Sequence, residues 1–420
     1  MTTALTTKKV FHRCIRCNKQ HPHAFRPFCD CDGLIDTEYD LTRVTFHDHS
    51  NPLIRYFDLL PLEDPANLLR LPLTQTPCVH ATKLGKLVGM PRLYLKDETK
   101  NPTATTKDRM AAVALSYLKE LGVKEFCTSS TGNSSSSFAN VAKLYPECRI
   151  YLFTAGDFED RVQHGAGGAQ VLHFVLRGAT FVGAFNFAGR FALRKKAVSE
   201  RGFFNPGRRE GLKLAYLEAA EQVPETIDWY VQAVSSAMGV YGAYKGAREL
   251  EAMGRVDRLP RLLCVQQETC SPMARAFLEG SENIKPEHIV DRPSGIAQAI
   301  LRGDPTRSYP YAREIVVDSN GTFVSVTENE IREARTMIAE YEGIDPCFSA
   351  STSFAGLLKL VRADAFPKAD TVLVNLTGGD RPNMPLPDEA KPYYLKQGRV
   401  DWEPESPDDP RYESVWPPAS

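Results

Sequence analysis

Runs in which apolar and polar residues alternate are followed repeatedly along this chain by runs with a helical period. The segment LYLKDETK alternates like a strand, and MAAVALSYLKELG, shortly after it, has apolar residues at helical spacing and ends at Gly122. Further strands are predicted at EFCTSS, RIYLFTA, DWYVQAVSS, RLLCVQQ and TVLVNLTGG, with one or two more in VLHFVLRGATFVGAF, and helices are predicted between them. Strands that alternate with helices indicate an α/β protein with parallel sheets.

Four short polar segments follow predicted strands. They are TTKDR around Lys107, SSTGNSSSS at 129–137, SSAMG at 235–239 and LTGGD at 376–380. In open α/β sheets, ligands bind at the carboxyl ends of strands, where helix N-termini present free N–H groups. We therefore expect the four segments to lie around one binding site.

The first segment places a lone lysine, Lys107, in the first turn of a predicted helix. One interpretation is a simple helix start, with Thr105 or Thr106 as the N-cap and a solvated lysine. A cation at this position opposes the helix macrodipole, which disfavours that interpretation. A lysine held there with a lowered pKa could serve as a nucleophile.

The other three segments offer complementary groups. Asn133, after the flexible Gly132, suits a ring oxygen, although the serines around it could equally be an N-cap cluster. The small-residue turn at 235–239 could cradle a phosphate, and Thr377 adds a hydroxyl. A nucleophilic lysine, a phosphate cradle, an amide and a hydroxyl are together what pyridoxal phosphate requires.

The order of these motifs resembles that of the fold type II pyridoxal-phosphate enzymes, and among them the threonine synthases and cysteate synthases. NPTATTKDR is similar to the threonine synthase motif NPTGSFKDR, and STGNS is similar to STGNT. The resemblance implies a two-domain α/β fold like that of tryptophan synthase β, with a Schiff base at Lys107. It also implies that Asn133 faces the phenolic oxygen of the cofactor and that Thr377 faces its pyridine nitrogen. The implied phosphate cradle consists of Ser235, Ser236, Ala237, Met238 and Gly239.

A further motif concerns the substrate. NPGRREGLK is similar to the threonine synthase motif NPxRxEGxK, in which the arginine contacts the substrate's phosphate. The resemblance therefore gives this role to Arg208. Without the resemblance, Arg208 could be a surface or helix-start arginine. The substrate carboxylate would be held by Ser130, Thr131, Gly132 and Ser134.

The chain also departs from the threonine synthase pattern. Ala104 replaces a glycine, the SSAMG turn lacks both asparagines of GNxGN, and Phe203 stands where a serine is expected. The predicted function is elimination or replacement at the β- or γ-carbon of an amino acid, threonine synthase-like with phosphohomoserine. The alternative is a cysteate synthase-like replacement on phosphoserine with sulfite or another nucleophile. A catalytically silent homologue that binds an amino acid or the cofactor is a third interpretation.

Four of the ten cysteines lie close together near the N-terminus: Cys14, Cys17, Cys29 and Cys31. Four thiolates could hold a structural zinc ion, as in the zinc-ribbon-like opening of one type of threonine synthase. The second pair is CxC rather than CxxC, so His12, His21 or His23 could replace one ligand. The competing interpretation is a degenerate remnant without metal, and a partner-binding module is a further one.

The amino-acid composition limits the classes of binding partner that the protein is expected to have. The 420 residues are 42% hydrophobic and 25% charged with a net charge of −1, which gives no electrostatic footprint for nucleic acid or an anionic membrane. We find no signal peptide or membrane span in the sequence and expect a cytoplasmic homodimer that acts on a small amino acid. The expected organisation is a Cys-rich segment at 1–45, a large cofactor-binding domain at 46–110 and 229–390, a small mobile domain at 111–228, and a tail at 391–420.

Overall fold

The computed structural model describes residues 5–162, 170–381, 391–396 and 399–400. The strands are β1 (Phe11–Cys14), β2 (Gln20–His21), β3 (Ile35–Glu38), β4 (Cys78–His80), β5 (Leu93–Asp97), β6 (Glu125–Ser129), β7 (Arg149–Ala155), β8 (Val171–Arg177), β9 (Val198–Ser199), β10 (Trp229–Ala233), β11 (Arg261–Gln267), β12 (Thr322–Val326), β13 (Val372–Leu376), β14 (Lys391–Lys396) and β15 (Arg399–Val400). The helices are α1 (Pro52–Arg55), α2 (Thr82–Val88), α3 (Lys107–Glu120), α4 (Asn133–Ala142), α5 (Phe181–Lys195), α6 (Pro206–Gln222), α7 (Met238–Ala252), α8 (Pro272–Leu278), α9 (Tyr309–Asp318), α10 (Glu328–Glu342) and α11 (Phe348–Arg362).

The strands form three sheets in the described part of the chain. A six-stranded sheet has the order β12-β11-β10-β13-β5-β4 and is parallel except for β4. A second six-stranded sheet has the order β15-β14-β8-β7-β6-β9 and is parallel except for β15. A small antiparallel sheet, β2-β1-β3, carries the cysteine cluster. The predicted α/β class with parallel sheets is therefore confirmed.

The central strands are apolar because both faces of each large sheet are covered. Val231 and Val374 pack with Phe354 of α11 in one core, while Tyr230 and Leu373 belong to the core on the other side. This is the environment in which parallel strands become nearly continuous hydrophobic runs. No helix among the described residues is both long and apolar enough to cross a membrane.

Helices α3 and α6 approach each other closely, which matters because they carry Lys107 and Arg208. A Cβ atom on Gly211 would lie 2.6 Å from the carbonyl oxygen of Arg109. Only a glycine allows the two backbones to come this near. The contact fixes the beginning of α3 relative to that of α6.

Most predicted elements are present, and RIYLFTA and RLLCVQQ form strands over their full length. VLHFVLRGATFVGAF holds one strand only: its second half begins α5, because the Oγ1 of Thr180 accepts a hydrogen bond from the Gly183 N–H and caps the helix. Residues 391–396, assigned to the tail by sequence, pair with β8 through their backbone. Residues 401–420 of that tail lie outside the described residues.

Candidate active site

One cavity is lined by residues from all four polar segments. The sequence-predicted residues among its lining are Lys107, Ser130, Thr131, Asn133, Ser134, Arg208, Ser235, Ser236, Ala237, Met238, Gly239 and Thr377. Gly132 belongs to the loop between two of them without lining the cavity itself. Residues far apart in sequence thus meet at the carboxyl ends of the strands, as expected for open α/β sheets.

The corner that carries Lys107 is joined to the loop after β13. The Thr106 N–H donates to the carbonyl oxygen of Thr377 at 2.9 Å, and the Gly379 N–H donates to the carbonyl oxygen of Ala104 at 2.9 Å. Thr105, rather than Thr106, supplies the polar atom at the helix start, because its Oγ1 accepts from the Lys107 N–H at 3.3 Å. These bonds hold the lysine and the Thr377 hydroxyl beside the same cavity.

The amine of Lys107 lines the cavity without a structural contact to the described residues. None of the hydrogen bonds or ion pairs among the described residues involves its Nζ. Burial, followed by the nearby guanidinium of Arg208, lowers the pKa of Lys107 to about 8. Desolvation disfavours the charged amine, so its neutral fraction near neutral pH is larger than that of an exposed lysine.

A buried ion-pair network lies beneath this corner. Arg109 donates to Glu98 at 2.8 Å and to Glu218 at 2.7 Å, and Lys96 donates to Glu218 at 2.8 Å. All four side chains are fully buried, so each charge depends on the others for solvation. Arg109, in the same helical turn as Lys107, therefore anchors α3 to α6 and to the segment that follows β5.

The loop at 129–134 is shaped by its serine and glycine residues. The Oγ of Ser130 accepts from the N–H groups of Gly132 and Ser135, each at 3.1 Å. Gly132 has φ = +117°, and a Cβ atom there would lie 2.6 Å from the Cβ of Arg161. The position requires glycine both for its backbone conformation and for space.

Asn133 is held by a residue that the sequence analysis missed. The guanidinium of Arg381 donates to its Oδ1, which leaves the amide nitrogen available to the cavity. Burial and the neighbouring Arg161 lower the pKa of Arg381 to about 10, and its second terminal nitrogen is buried with no hydrogen-bond partner among the described residues. The sequence separation of 248 between the partners explains why no local signal revealed the contact.

The turn between β10 and α7 has the features of an anion cradle. The N–H groups of Ser235, Ser236 and Ala237 make none of the described hydrogen bonds, and α7 has no side-chain cap. Ala237 adopts φ = +59°, which turns the chain into the helix. A Cβ on Gly239 would lie 2.4 Å from the Nε2 of Gln232. Free amides at a helix N-terminus fit the phosphate of pyridoxal phosphate.

The cavity also contains polar atoms that lack partners. The Oγ1 of Thr106 and the Oγ of Ser129 are buried without a hydrogen bond in the described structure, and both residues line the cavity. Buried hydroxyls are normally satisfied. Together with the free amides and the lysine, they fit a polar ligand such as the cofactor.

Arg208 lines the cavity but has an acidic partner. Both its Nε and one terminal nitrogen donate to the buried carboxylate of Glu200, the latter at 2.5 Å. The guanidinium also donates to Thr128 at 2.8 Å and to Ser134 at 3.2 Å, and lies over the ring of Phe138. Glu200, which the sequence analysis did not single out, therefore neutralises the charge expected to bind the substrate's phosphate.

The cysteine cluster is a separate candidate site. The sulfur atoms of Cys14, Cys17, Cys29 and Cys31 all lie within 4.8 Å of one another. A tetrahedral zinc ion with Zn–S bonds of about 2.3 Å needs sulfurs about 3.8 Å apart. The Cys14–Cys31 and Cys17–Cys29 distances are 3.5 and 3.6 Å. The four thiols therefore fit a zinc ion.

The three histidines near the cluster differ in position. The Nε2 of His21 lies 3.3 Å from the sulfur of Cys29, so His21 is placed to hydrogen-bond a ligand. His12 and His23 contact each other at 2.9 Å. The thiol set is complete without any of them.

Comparison with known proteins agrees with the site. Residues 69–378 match the family of pyridoxal-phosphate-dependent enzymes. The chain belongs to this family.

The curated relatives of this chain indicate which type of pyridoxal-phosphate-dependent enzyme it is. It is 29% identical to a threonine synthase of Methanocaldococcus jannaschii, over 88% of this chain and 92% of the relative. It is 31% identical to a threonine synthase of Methanosarcina acetivorans, over 88% and 91%, and 28% identical to a cysteate synthase of Methanospirillum hungatei, over 87% and 89%. The chain is thus a pyridoxal-phosphate-dependent lyase of the elimination and replacement type, which confirms the predicted class.

Solved structures support the fold. Maize serine racemase superimposes with a TM-score of 0.62 at 20% identity, covering 74% of this chain and 89% of that one. The processed form of threonine deaminase isoform 2 from Solanum lycopersicum gives a TM-score of 0.61 at 17% identity, covering 80% and 92%. The predicted fold type II architecture is confirmed.

Proposed function

We propose that this enzyme replaces or eliminates the phosphorylated side-chain group of an amino acid, as the threonine synthases do with phosphohomoserine. The observation that carries the proposal is the composition of one cavity. It joins Lys107, Asn133, Thr377 and the 235–239 turn, and its described lining contains no carboxylate. Such a site favours a ligand with several negative charges.

Lys107 would move the proton at the substrate's α-carbon. When bound, pyridoxal phosphate supplies an electron sink that stabilises negative charge at this carbon. A base with a pKa of about 8 takes up and returns a proton near neutral pH without a large driving-force penalty. The absence of a hydrogen-bond partner for its Nζ among the described residues leaves the amine free to turn toward the substrate.

The remaining residues would bind and orient. The 235–239 turn, with the free amides of Ser235, Ser236 and Ala237, would hold the cofactor's phosphate, and the amide nitrogen of Asn133 would donate to its phenolic oxygen. Thr377 would present a neutral hydroxyl to the ring nitrogen, which suits elimination and replacement better than transamination. The substrate's carboxylate would be bound by Ser130, Thr131, Gly132 and Ser134.

A cysteate synthase-like replacement on phosphoserine is the second candidate. Phe203, at the position of an expected serine, lines the cavity, and Arg208 is paired with Glu200. Both features make the phosphate site differ from the threonine synthase pattern. The similarity to cysteate synthases at 26–28% identity supports the same candidate.

A substrate panel separates the candidates. Purified holoenzyme is incubated with phosphohomoserine, phosphoserine, O-acetylserine or threonine, with and without sulfite, while released phosphate and new amino acids are quantified. Phosphate released from phosphohomoserine with formation of threonine supports the first candidate. Phosphate released only from phosphoserine contradicts it and supports the second, and no product from any substrate favours a silent binding protein.

We infer that the four cysteines bind a structural zinc ion, that the two large sheets belong to a large cofactor domain and a small mobile domain, and that the enzyme is a cytoplasmic homodimer. The thiol geometry supports the first, and the sheet organisation supports the second. Sedimentation analysis of the holoenzyme and fractionation of the source cell test the third.

A further inference from the structure

The cavity contains three cationic side chains with different surroundings. Lys107, Arg208 and Arg302 all line it, and none of the described lining residues is acidic. Lys107 is assigned to the cofactor by the proposed function. The two arginines are therefore the groups available to a distal anion on the substrate.

Arg208 is poorly suited to this role in the present arrangement. Each of its three guanidinium nitrogens already has a partner, and Glu200 supplies a fully buried negative charge. A substrate phosphate at Arg208 would have to approach that carboxylate. Like charges in a low-dielectric site repel strongly, so Glu200 opposes such binding.

Arg302, unlike Arg208, has no acidic partner among the described residues. In the described part of the chain it forms no ion pair, and its side chain donates only through Nε, to the carbonyl oxygen of Asp304 at 3.2 Å. Its two terminal nitrogens thus remain available as donors. Burial lowers the pKa of Arg302, and the charge of the nearby Asp304 offsets this only in part, so the cation is incompletely compensated.

Two aromatic rings of α5 hold this guanidinium in place. Its central carbon lies 5.8 Å from the ring centre of Phe181 and 5.9 Å from that of Phe185, and both rings line the same cavity. Cation–π contacts orient a guanidinium without neutralising its charge. A planar guanidinium with free N–H donors can bind phosphate through bidentate hydrogen bonds.

We propose that Arg302 recognises the phosphate on the side chain of the amino acid substrate, the role that the sequence pattern gives to Arg208. Arg208 instead pairs with Glu200 and supports the wall of the cavity. Its guanidinium adds to the effect of burial in lowering the pKa of Lys107. The inference deepens the proposed function and rests on it for the position of the reacting amino acid.

Binding to the holoenzyme tests the assignment without requiring turnover. Dissociation constants for O-phospho-L-serine, L-phosphohomoserine and unphosphorylated L-serine are measured from the change in the cofactor's absorption spectrum. Arg302→Met should weaken binding of the better phosphorylated ligand about 10- to 100-fold, the loss expected for a charge-assisted hydrogen-bonding pair. Binding of L-serine should change less than about twofold, because it lacks the anion that Arg302 would contact.

Two further variants complete the design. Arg302→Lys keeps the charge without the fork and should give an intermediate loss. Arg307→Met is the matched control, because Arg307 is an exposed neighbouring arginine that pairs with Asp32 and does not line the cofactor cavity. It should bind the phosphorylated ligand like the wild type.

The outcomes distinguish this inference from the proposed function. Equal losses for phosphorylated and unphosphorylated ligands in Arg302→Met, or no loss for either, would overturn the assignment. If the wild-type holoenzyme turns over none of the substrate panel, the proposed function fails. In that case inorganic phosphate tests the role of Arg302. It should perturb the cofactor spectrum at lower concentration in the wild type than in Arg302→Met. If both proteins require the same phosphate concentration, the role of Arg302 is overturned.

Discussion

The guanidinium of Arg381 donates a hydrogen bond to the Oδ1 of Asn133. A residue in the loop after β13 thus orients the side-chain amide of the first residue of α4. Because the oxygen is engaged, the amide nitrogen is the side-chain group that Asn133 can present to the cavity. This contact links the loop after β13 to the predicted cofactor site. It also gives a direct test of the role proposed for Asn133.

Arg381→Met should reduce the affinity for pyridoxal phosphate. Loss of a charge-assisted bond costs about 1.5–3 kcal/mol, which corresponds to a rise of about 10- to 100-fold in the dissociation constant. The measurement is a titration of apo-protein followed by absorption. Arg92→Met, at an exposed arginine, is the control. Unchanged affinity in Arg381→Met would mean that the orientation of Asn133 does not matter for the cofactor.

The reactivity of Lys107 should depend on pH with a midpoint of about 8. Because the neutral amine is the nucleophile, its modification in apo-protein should be slow below this pH and reach a plateau above it. Competitive acetylation followed by peptide mass spectrometry measures the profile, with the exposed Lys83 as a reference for the reagent. A midpoint at the ordinary lysine value of about 10.4 would show that burial does not affect this amine.

The same experiment tests the influence of Arg208. Replacing the pair together, as Arg208→Met with Glu200→Gln, removes the cation without leaving a buried carboxylate unpaired. The midpoint for Lys107 should then move to higher pH, because a positive neighbour no longer disfavours the protonated amine. A midpoint that stays in place would leave desolvation as the sole cause.

Ala104→Gly should stabilise the protein. Ala104 has φ = +52°, a left-handed conformation that costs a non-glycine residue about 1–2 kcal/mol, partly offset by the greater unfolded-state entropy of glycine. We expect a net gain of about 0.5–1 kcal/mol in the free energy of unfolding. Ala339→Gly, inside α10, should instead lose about 1 kcal/mol. Denaturant unfolding of both variants checks the prediction, which a destabilised Ala104→Gly would contradict.

The cysteine cluster should bind one zinc ion per chain. Elemental analysis of the purified protein should detect it, and Cys14→Ser should remove most of it because three thiolates and a hydroxyl bind zinc far less tightly than four thiolates. Cys78→Ser, outside the cluster, is the control. Failure of the wild type to bind zinc after incubation with the metal would support a degenerate remnant.

The sequence predicted those features that arise from local patterns. Buried strands such as RIYLFTA, the helix start at Lys107 and the glycine at position 132 follow from periodicity and turn chemistry. The residues proposed to contact the cofactor come from the motif resemblance. The contacts that the sequence did not reveal are long-range. Glu200 and Arg381 carry no local signal, and they become functional candidates only when the fold places them against Arg208 and Asn133.

Strand β12 was also missed. TFVSV is only five residues long, and its neighbours in sequence are not strongly apolar. The strand is fixed by parallel pairing with β11, from Leu263 opposite Thr322 to Gln267 opposite Val326. Tertiary pairing thus decides the structure of a segment whose own preference is weak.

We propose that Lys107 carries pyridoxal phosphate covalently. Purified holoenzyme is treated with borohydride, which makes such a link permanent, and is then digested and analysed by mass spectrometry. The peptide that contains Lys107 should carry the mass of one reduced cofactor, and this mass should be absent from Lys107→Ala. A cofactor bound at another lysine of the wild type, or no covalent adduct at all, would refute the assignment of Lys107.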